Sequence, residues 1–163
     1  MRQGDPVVEG TAGVIVADVA QVPGHGAYVS TDHLALSLDF SAIRFSVASL
    51  QTRSIERVVL LLWPDPSWQT ENGSVAIQVH VASAGSSSLH APLVAAESIV
   101  QAVVSRSARI PVRLDVTAAA RRWIDEQSAD GVLLLSADQP GIVFAGTDGV
   151  ESARRPRLEV VYR

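Results

Sequence analysis

The chain has 163 residues, 47% of them hydrophobic, a formal net charge of −4 and no cysteine. That length fits one domain with a sizeable core, and that apolar content excludes intrinsic disorder. Disulfides and thiolate-bound metals are excluded, and the 13 cationic residues, all arginine, are scattered through an acidic chain without the basic stripe that nucleic acid demands.

The chain's opening, Met1 to Pro6, is followed by no apolar stretch with a small-residue cleavage site, which predicts a protein without an export signal, made in the cytoplasm. Residues 1–12, with Gly4, Pro6 and Gly10, read as an N-terminal arm, and residues 13–163 as a single domain. From there the dominant period is two. Leu34, Leu36, Leu38 and Phe40 alternate with Ala35, Ser37 and Asp39, and Ile43, Phe45 and Val47 resume the pattern after a break. Each such run predicts a strand with one apolar and one polar face, the mark of antiparallel sheets.

The run Val58 to Trp63 is apolar throughout and predicts a strand covered on both faces or lying at a subunit contact. It is far short of the ~20 residues that a membrane-spanning helix needs. Val75, Ile77, Val79 and Val81 alternate with Ala76, Gln78 and His80, and His80 on the polar phase reads as an exposed side chain. One segment departs from the strand pattern: residues 117–127 are helix-forming, with Thr117 as the expected N-cap and Trp123 plugging an end of the sandwich. Val132 to Leu135 repeats the all-apolar pattern, and Leu158, Val160 and Tyr162 alternate near the C-terminus. Turn signals separate the runs, among them Glu71-Asn72-Gly73, Gln139-Pro140-Gly141 and Asp148-Gly149. About nine or ten short strands so divided predict an all-β fold, a jelly-roll-like antiparallel β-sandwich with one short helix.

The chemistry-bearing residues form no catalytic pattern. His25, His33, His80 and His90 make no HxH or HExxH pair, the serines make no GxSxG elbow, and Asp125 with Glu126 read as a solvated helix end. The expectation is a protein that is not an enzyme and carries no cofactor. Asp65, Glu71 and Asn72 are the residues that could offer oxygen ligands to calcium, without EF-hand spacing. Among the aromatics, Trp68 and Tyr28 are the candidates for stacking on a sugar, while Trp63 ends an apolar strand and reads as core.

Leu114-Asp115-Val116-Thr117, then Trp123, then Gly131-Val132-Leu133-Leu134, then Phe144, then Arg155-Pro156-Arg157-Leu158-Glu159-Val160 run in an order that resembles the DNRLRE-type domain. Upstream, Ile43 to Val47 followed by Val58 to Leu62 is similar to another stretch of that family. The likeness covers about half the chain, mainly its C-terminal third, and the same Asp-Val-Thr to Trp arrangement also resembles the prodomain sandwich of secreted growth factors. It implies a jelly-roll sandwich without catalytic residues, used as a surface, adhesive or carbohydrate-binding module. The family's middle tryptophan stretch has no counterpart between Val81 and Arg109, so no polysaccharide-binding residue carries over.

The residues behind the likeness read as structural. Asp115 and Thr117 bond backbone at the strand-to-helix corner, Trp123 fills the core, Pro156 starts an edge strand, and Arg155 pairs with Asp148 or Glu151. The expected function is a non-catalytic structural or interaction protein, a stand-alone module docking on a larger assembly, such as a phage capsid decoration or tail accessory displayed on the particle. Its expected partners are other subunits, its own copies or capsid and tail proteins, with no nucleic acid and no membrane insertion. The alternative is a secreted or cell-surface module that binds a polysaccharide.

Overall fold

The structure, a computed structural model, describes residues 11–16, 19–21, 33–38, 40–65, 73–82, 95–147 and 154–162. The described residues form eleven strands and one α-helix: β1 (Thr11–Val16), β2 (Val19–Gln21), β3 (His33–Leu36), β4 (Ser41–Ser46), β5 (Ile55–Leu62), β6 (Ser74–Ala82), β7 (Ala95–Ser105), β8 (Val112–Asp115), α1 (Thr117–Asp125), β9 (Asp130–Ala137), β10 (Ile142–Ala145) and β11 (Arg157–Tyr162). The strand pairs nest. β6 pairs with β7, β5 with β8, β4 with β9 and β1 with β11, all antiparallel, so that the chain folds as one long hairpin rolled up on itself. Two further ladders, β11 on β5 and β9 on β6, fuse the rolled hairpin into sheets ordered β1-β11-β5-β8 and β2-β4-β9-β6-β7. That wrapping is the jelly roll, and the all-β antiparallel sandwich expected from the period-two runs is the architecture observed. The arm expected over residues 1–12 lies outside the described residues up to residue 10, and strand pairing begins at Thr11.

The alternation decides what is inside. Val58, Leu60, Leu62, Leu114, Leu158 and Val160 from one sheet meet Ile43, Phe45, Val75, Ile77, Leu133 and Leu135 from the other in a single buried cluster. Each such side chain contributes about 1.5–3 kcal/mol by leaving water. A short ladder of β3 and β10 closes one end, adding Leu34, Leu36 and Phe144 to the same core. It is tied to the chain beyond β5 by Ala145 N–H donating to the Trp63 carbonyl at 2.8 Å and Asp65 N–H donating to the Val143 carbonyl at 3.0 Å. Trp63, expected in the core, is half-buried at this joint, and its indole N–H is out of solvent with no partner among the described residues.

The all-apolar runs are covered on both faces. Val59, Leu61, Val132 and Leu134 point away from the central core and are nevertheless buried. Leu61 lies in register between Arg157 and Arg113, and Val59 between Glu159 and Asp115, so charged neighbours flank both aliphatic side chains. Arg113 donates to Glu159 at 2.9 Å across that outer surface.

The helix departs from expectation at both ends. Its N-cap is Val116, with no side-chain capping bond, and Thr117 is the first helical residue. The cap expected of the Thr117 hydroxyl is absent because that hydroxyl works sideways: it accepts the Val58 N–H at 2.9 Å and donates to Asp115 at 2.6 Å. The helix ends at Asp125 rather than 127, since Gln127 takes a left-handed φ of 53°. Ser128 N–H then donates to the Trp123 carbonyl and Gln127 N–H to the Ile124 carbonyl, the Schellman arrangement that satisfies the last carbonyls.

Candidate functional site

The outer face of the five-stranded sheet carries a concave groove of about 350 Å³. Its floor follows from the phase of β6. Because Val75, Ile77, Val79 and Val81 face the core, Ala76, Gln78 and His80 face out. Register then sets Gln78 opposite Gln101 of β7 on one side and opposite Ser136 of β9 on the other. Three neutral hydrogen-bonding side chains thus lie in a row across three strands, each about 4.8 Å from the next.

An aromatic wall stands beside this row. The rings of Phe40 and His80 meet edge to face, with centroids 5.1 Å apart and planes at 74°. The His80 Nδ1 atom is out of solvent and has no hydrogen-bond partner among the described residues. Leu38, 74% exposed, forms the apolar lip next to Phe40. At the far end the Asp138 carboxylate accepts the Ala76 N–H at 2.9 Å while Asp138 N–H donates to the Ala76 carbonyl at 3.0 Å, which fixes the acid at the rim. The described lining contains one carboxylate and no arginine. Such a surface offers amide and hydroxyl partners and an apolar ring face, and it offers no cation to a phosphate.

The sequence candidates fall elsewhere. Tyr28, Trp68, Glu71 and Asn72 lie outside the described residues. Asp65 stands at the end of the β5 extension, where its carboxylate meets His33 Nδ1 at 3.0 Å. Among the described residues no group of three or more histidines and carboxylates is close enough to hold a metal ion. Asp115 and Thr117 sit together at the β8–α1 corner, where the Asp115 carboxylate accepts both the Thr117 hydroxyl and its N–H. The Thr117 hydroxyl bond and then the Thr117 N–H bond hold Asp115 below its ordinary pKa of 3.8; burial opposes them, and the nearby Arg57 charge adds the smallest push downward. Trp123 is buried in the core cluster.

Pro156 does precede a strand, but β11 runs between β1 and β5 rather than at an edge. Proline is tolerated there because it stands just before the ladder begins at Arg157. Arg155 lies beside it, and both of its expected partners, Asp148 and Glu151, lie outside the described residues.

The groove residues were missed for a physical reason. Leu38 and Phe40 continue the alternation of Leu34 and Leu36, yet β3 stops at Leu36 and the chain bends at Leu38. The bend turns a pair of expected core residues to the outside. Gln78 and His80 are visible on the polar phase of β6, but their joining with Gln101 and Ser136 depends on register between distant strands. No protein-family model matches the chain, and no curated protein matches it. Among the described residues no helix is long and apolar enough to cross a membrane.

Proposed function

We propose that this chain is a non-catalytic interaction module, a jelly roll that docks on a larger surface, and that the surface it reads through the groove is a neutral polysaccharide. The observation that carries the reading is the cross-strand row of Ser136, Gln78 and Gln101 beside the Phe40–His80 wall. Amides and hydroxyls exchange hydrogen bonds with sugar hydroxyls, and a ring offers its face or edge to the apolar side of a pyranose. Likeness to the DNRLRE-type domain points the same way, since it implies a surface or carbohydrate-binding role.

Affinity electrophoresis and isothermal titration against a panel of soluble neutral polysaccharides test the assignment. The double variant Gln78→Ala, Gln101→Ala loses about tenfold or more in affinity, each amide being worth about 1 kcal/mol, with its melting temperature nearly unchanged. A polysaccharide that still retards the double variant as it retards the parent protein sinks the groove as the binding site.

A second form of the docking reading, an accessory protein displayed on a virion as a capsid decoration or tail part, is favoured by a different feature, the long edge strand β7, which carries no charge from Ser98 to Ser105. It requires a protein partner rather than a glycan. Binding to no polysaccharide in the panel, together with assembly on particles, would select this form.

A further inference from the structure

Among the described residues the two main sheets end in four strand edges, and they are unequal. β2, β8 and β1 are three, four and six residues long, and β8 presents Arg113 and Asp115. Short strands and charges are the usual means of keeping an edge from pairing with another chain. β7 uses neither along its second half. It runs for eleven residues, and from Ser98 to Ser105 it reads Ser-Ile-Val-Gln-Ala-Val-Val-Ser, without proline, glycine or charge. Val103 in this stretch is 73% exposed.

The ladder phase shows which backbone groups are left over. Arg106 N–H donates to the Gly73 carbonyl at 2.9 Å, and the register continues from there through Val75 opposite Val104 and Ile77 opposite Ala102. Antiparallel bonding alternates, so Val104 and Ala102 turn their N–H and C=O groups to β6, while those of Gln101 and Val103 point away from the sheet. At one end of the stretch a register shift leaves Ile99 without an opposite residue. At the other, the Ser105 carbonyl is taken by the Ala108 N–H. Among the described residues the open template is therefore centred on Ala102.

We infer that a second copy of this chain pairs with β7 along this edge, antiparallel and two-fold, with Ala102 opposite Ala102 and Gln101 opposite Val103 of the other copy. Two features select a second copy over an unrelated partner. A two-fold axis at Ala102 matches the outward groups of Gln101 to those of Val103 in both directions, so one strand is its own complement. From Ser98 to Ser105 the edge carries no charge and meets no like-charge repulsion from its copy, whereas a partner recruited by opposite charge has nothing in that stretch to select it. The product is a sheet continuous through both molecules, in which Gln101 lines a groove on each side of the axis. The dimer stands on the strand edge alone, independently of the polysaccharide reading. If both hold, the two grooves share one sheet and bind a long chain with avidity.

Sedimentation velocity of the full chain across the micromolar range tests the dimer, with hydrogen exchange as the second measurement. Val103→Pro removes an outward N–H and no bond to β6, and proline is admissible at such an edge position. It weakens association by about tenfold or more and leaves the β6 ladder paired. Val103→Lys sets a charge beside the axis and acts in the same direction, while Ile110→Lys, equally exposed but off the edge, leaves the dimer intact. In the parent protein the Gln101 and Val103 amides exchange more slowly as concentration rises. A parent protein monomeric at every concentration, a dimer that survives both Val103 variants, or exchange at these amides that ignores concentration each overturns the inference.

Discussion

Gly131 has a role that no turn or positive φ explains. A Cβ placed on it would stand 2.6 Å from the Trp123 indole, closer than any real carbon contact allows. The indole therefore lies flat on bare backbone at the start of β9, and the ring cannot retreat because it is buried in the core cluster. Gly131→Ala costs about 1–3 kcal/mol, the usual penalty for overfilling a packed core, and thermal denaturation followed by circular dichroism checks it. A melting temperature equal to that of the parent protein would show that the ring moves freely. Gly73 is the contrast. Its φ is 110°, nothing lies within 4 Å of its would-be Cβ, and any cost there comes from backbone strain alone. Trp123 as a core residue is legible from its helical spacing beside Ala119 and Ala120, but its seat on Gly131 is not. The indole and the glycine are brought together by the Schellman turn, which rests on Gln127 taking a conformation that its residue type does not advertise.

The β8–α1 corner joins one sheet to the helix through a single carboxylate. Asp115 accepts the hydroxyl and the N–H of Thr117, and that same hydroxyl receives the Val58 N–H, so strand β5, strand β8 and the helix start are fixed by one cluster of bonds. These bonds hold the folded pKa of Asp115 below 3.8, its ordinary value. The stabilisation is therefore complete above the ordinary value. It is lost as pH falls through the folded one, because the unfolded chain takes the proton first. The acid limb of melting temperature against pH is thus steeper in the parent protein than in Asp115→Asn between about pH 5 and pH 2. Equal slopes would remove the corner from the account. Elements of this kind differ in how far they can be read from sequence. β6 and β11 keep the period of two from end to end, and a period is a local property. β3 keeps it only to its end at Leu36, since the bend at Leu38 sends Leu38 and Phe40 to the groove, and β7 carries no clean alternation because register shifts interrupt its pairing with β6. The candidate site takes Leu38 and Phe40 from the bend and Gln101 from β7, and joins them to the legible polar phase of β6 only through register between distant strands, which is why the site was not legible while the core strands were.

At the scale of the molecule, nesting is the controlling feature. The first and last strands of the wrap, β1 and β11, are partners, and β11 also holds β5, so the sheet is complete only when the C-terminal residues arrive. Contacts this distant in sequence place the chain among slow-folding all-β topologies, with folding on the order of milliseconds to seconds. They also bind the two sheets into one cooperative unit. Leu60 of β5 and Ile77 of β6 belong to opposite sheets and to the same buried cluster, and the β3–β10 ladder is tied to the chain beyond β5 at the end of the sandwich. Each sheet draws its part of the large buried cluster from the other, so opening one exposes the inner apolar face of both. Leu60→Ala lowers stability by about 2–5 kcal/mol and displaces the whole transition, so that far-ultraviolet circular dichroism and tryptophan fluorescence give one midpoint for the variant as for the parent protein. Separate midpoints, with one sheet melting first, would contradict a shared core. The measurement belongs at low concentration. There, pairing along β7 contributes nothing, and a midpoint that climbs with concentration reports the dimer rather than the sandwich.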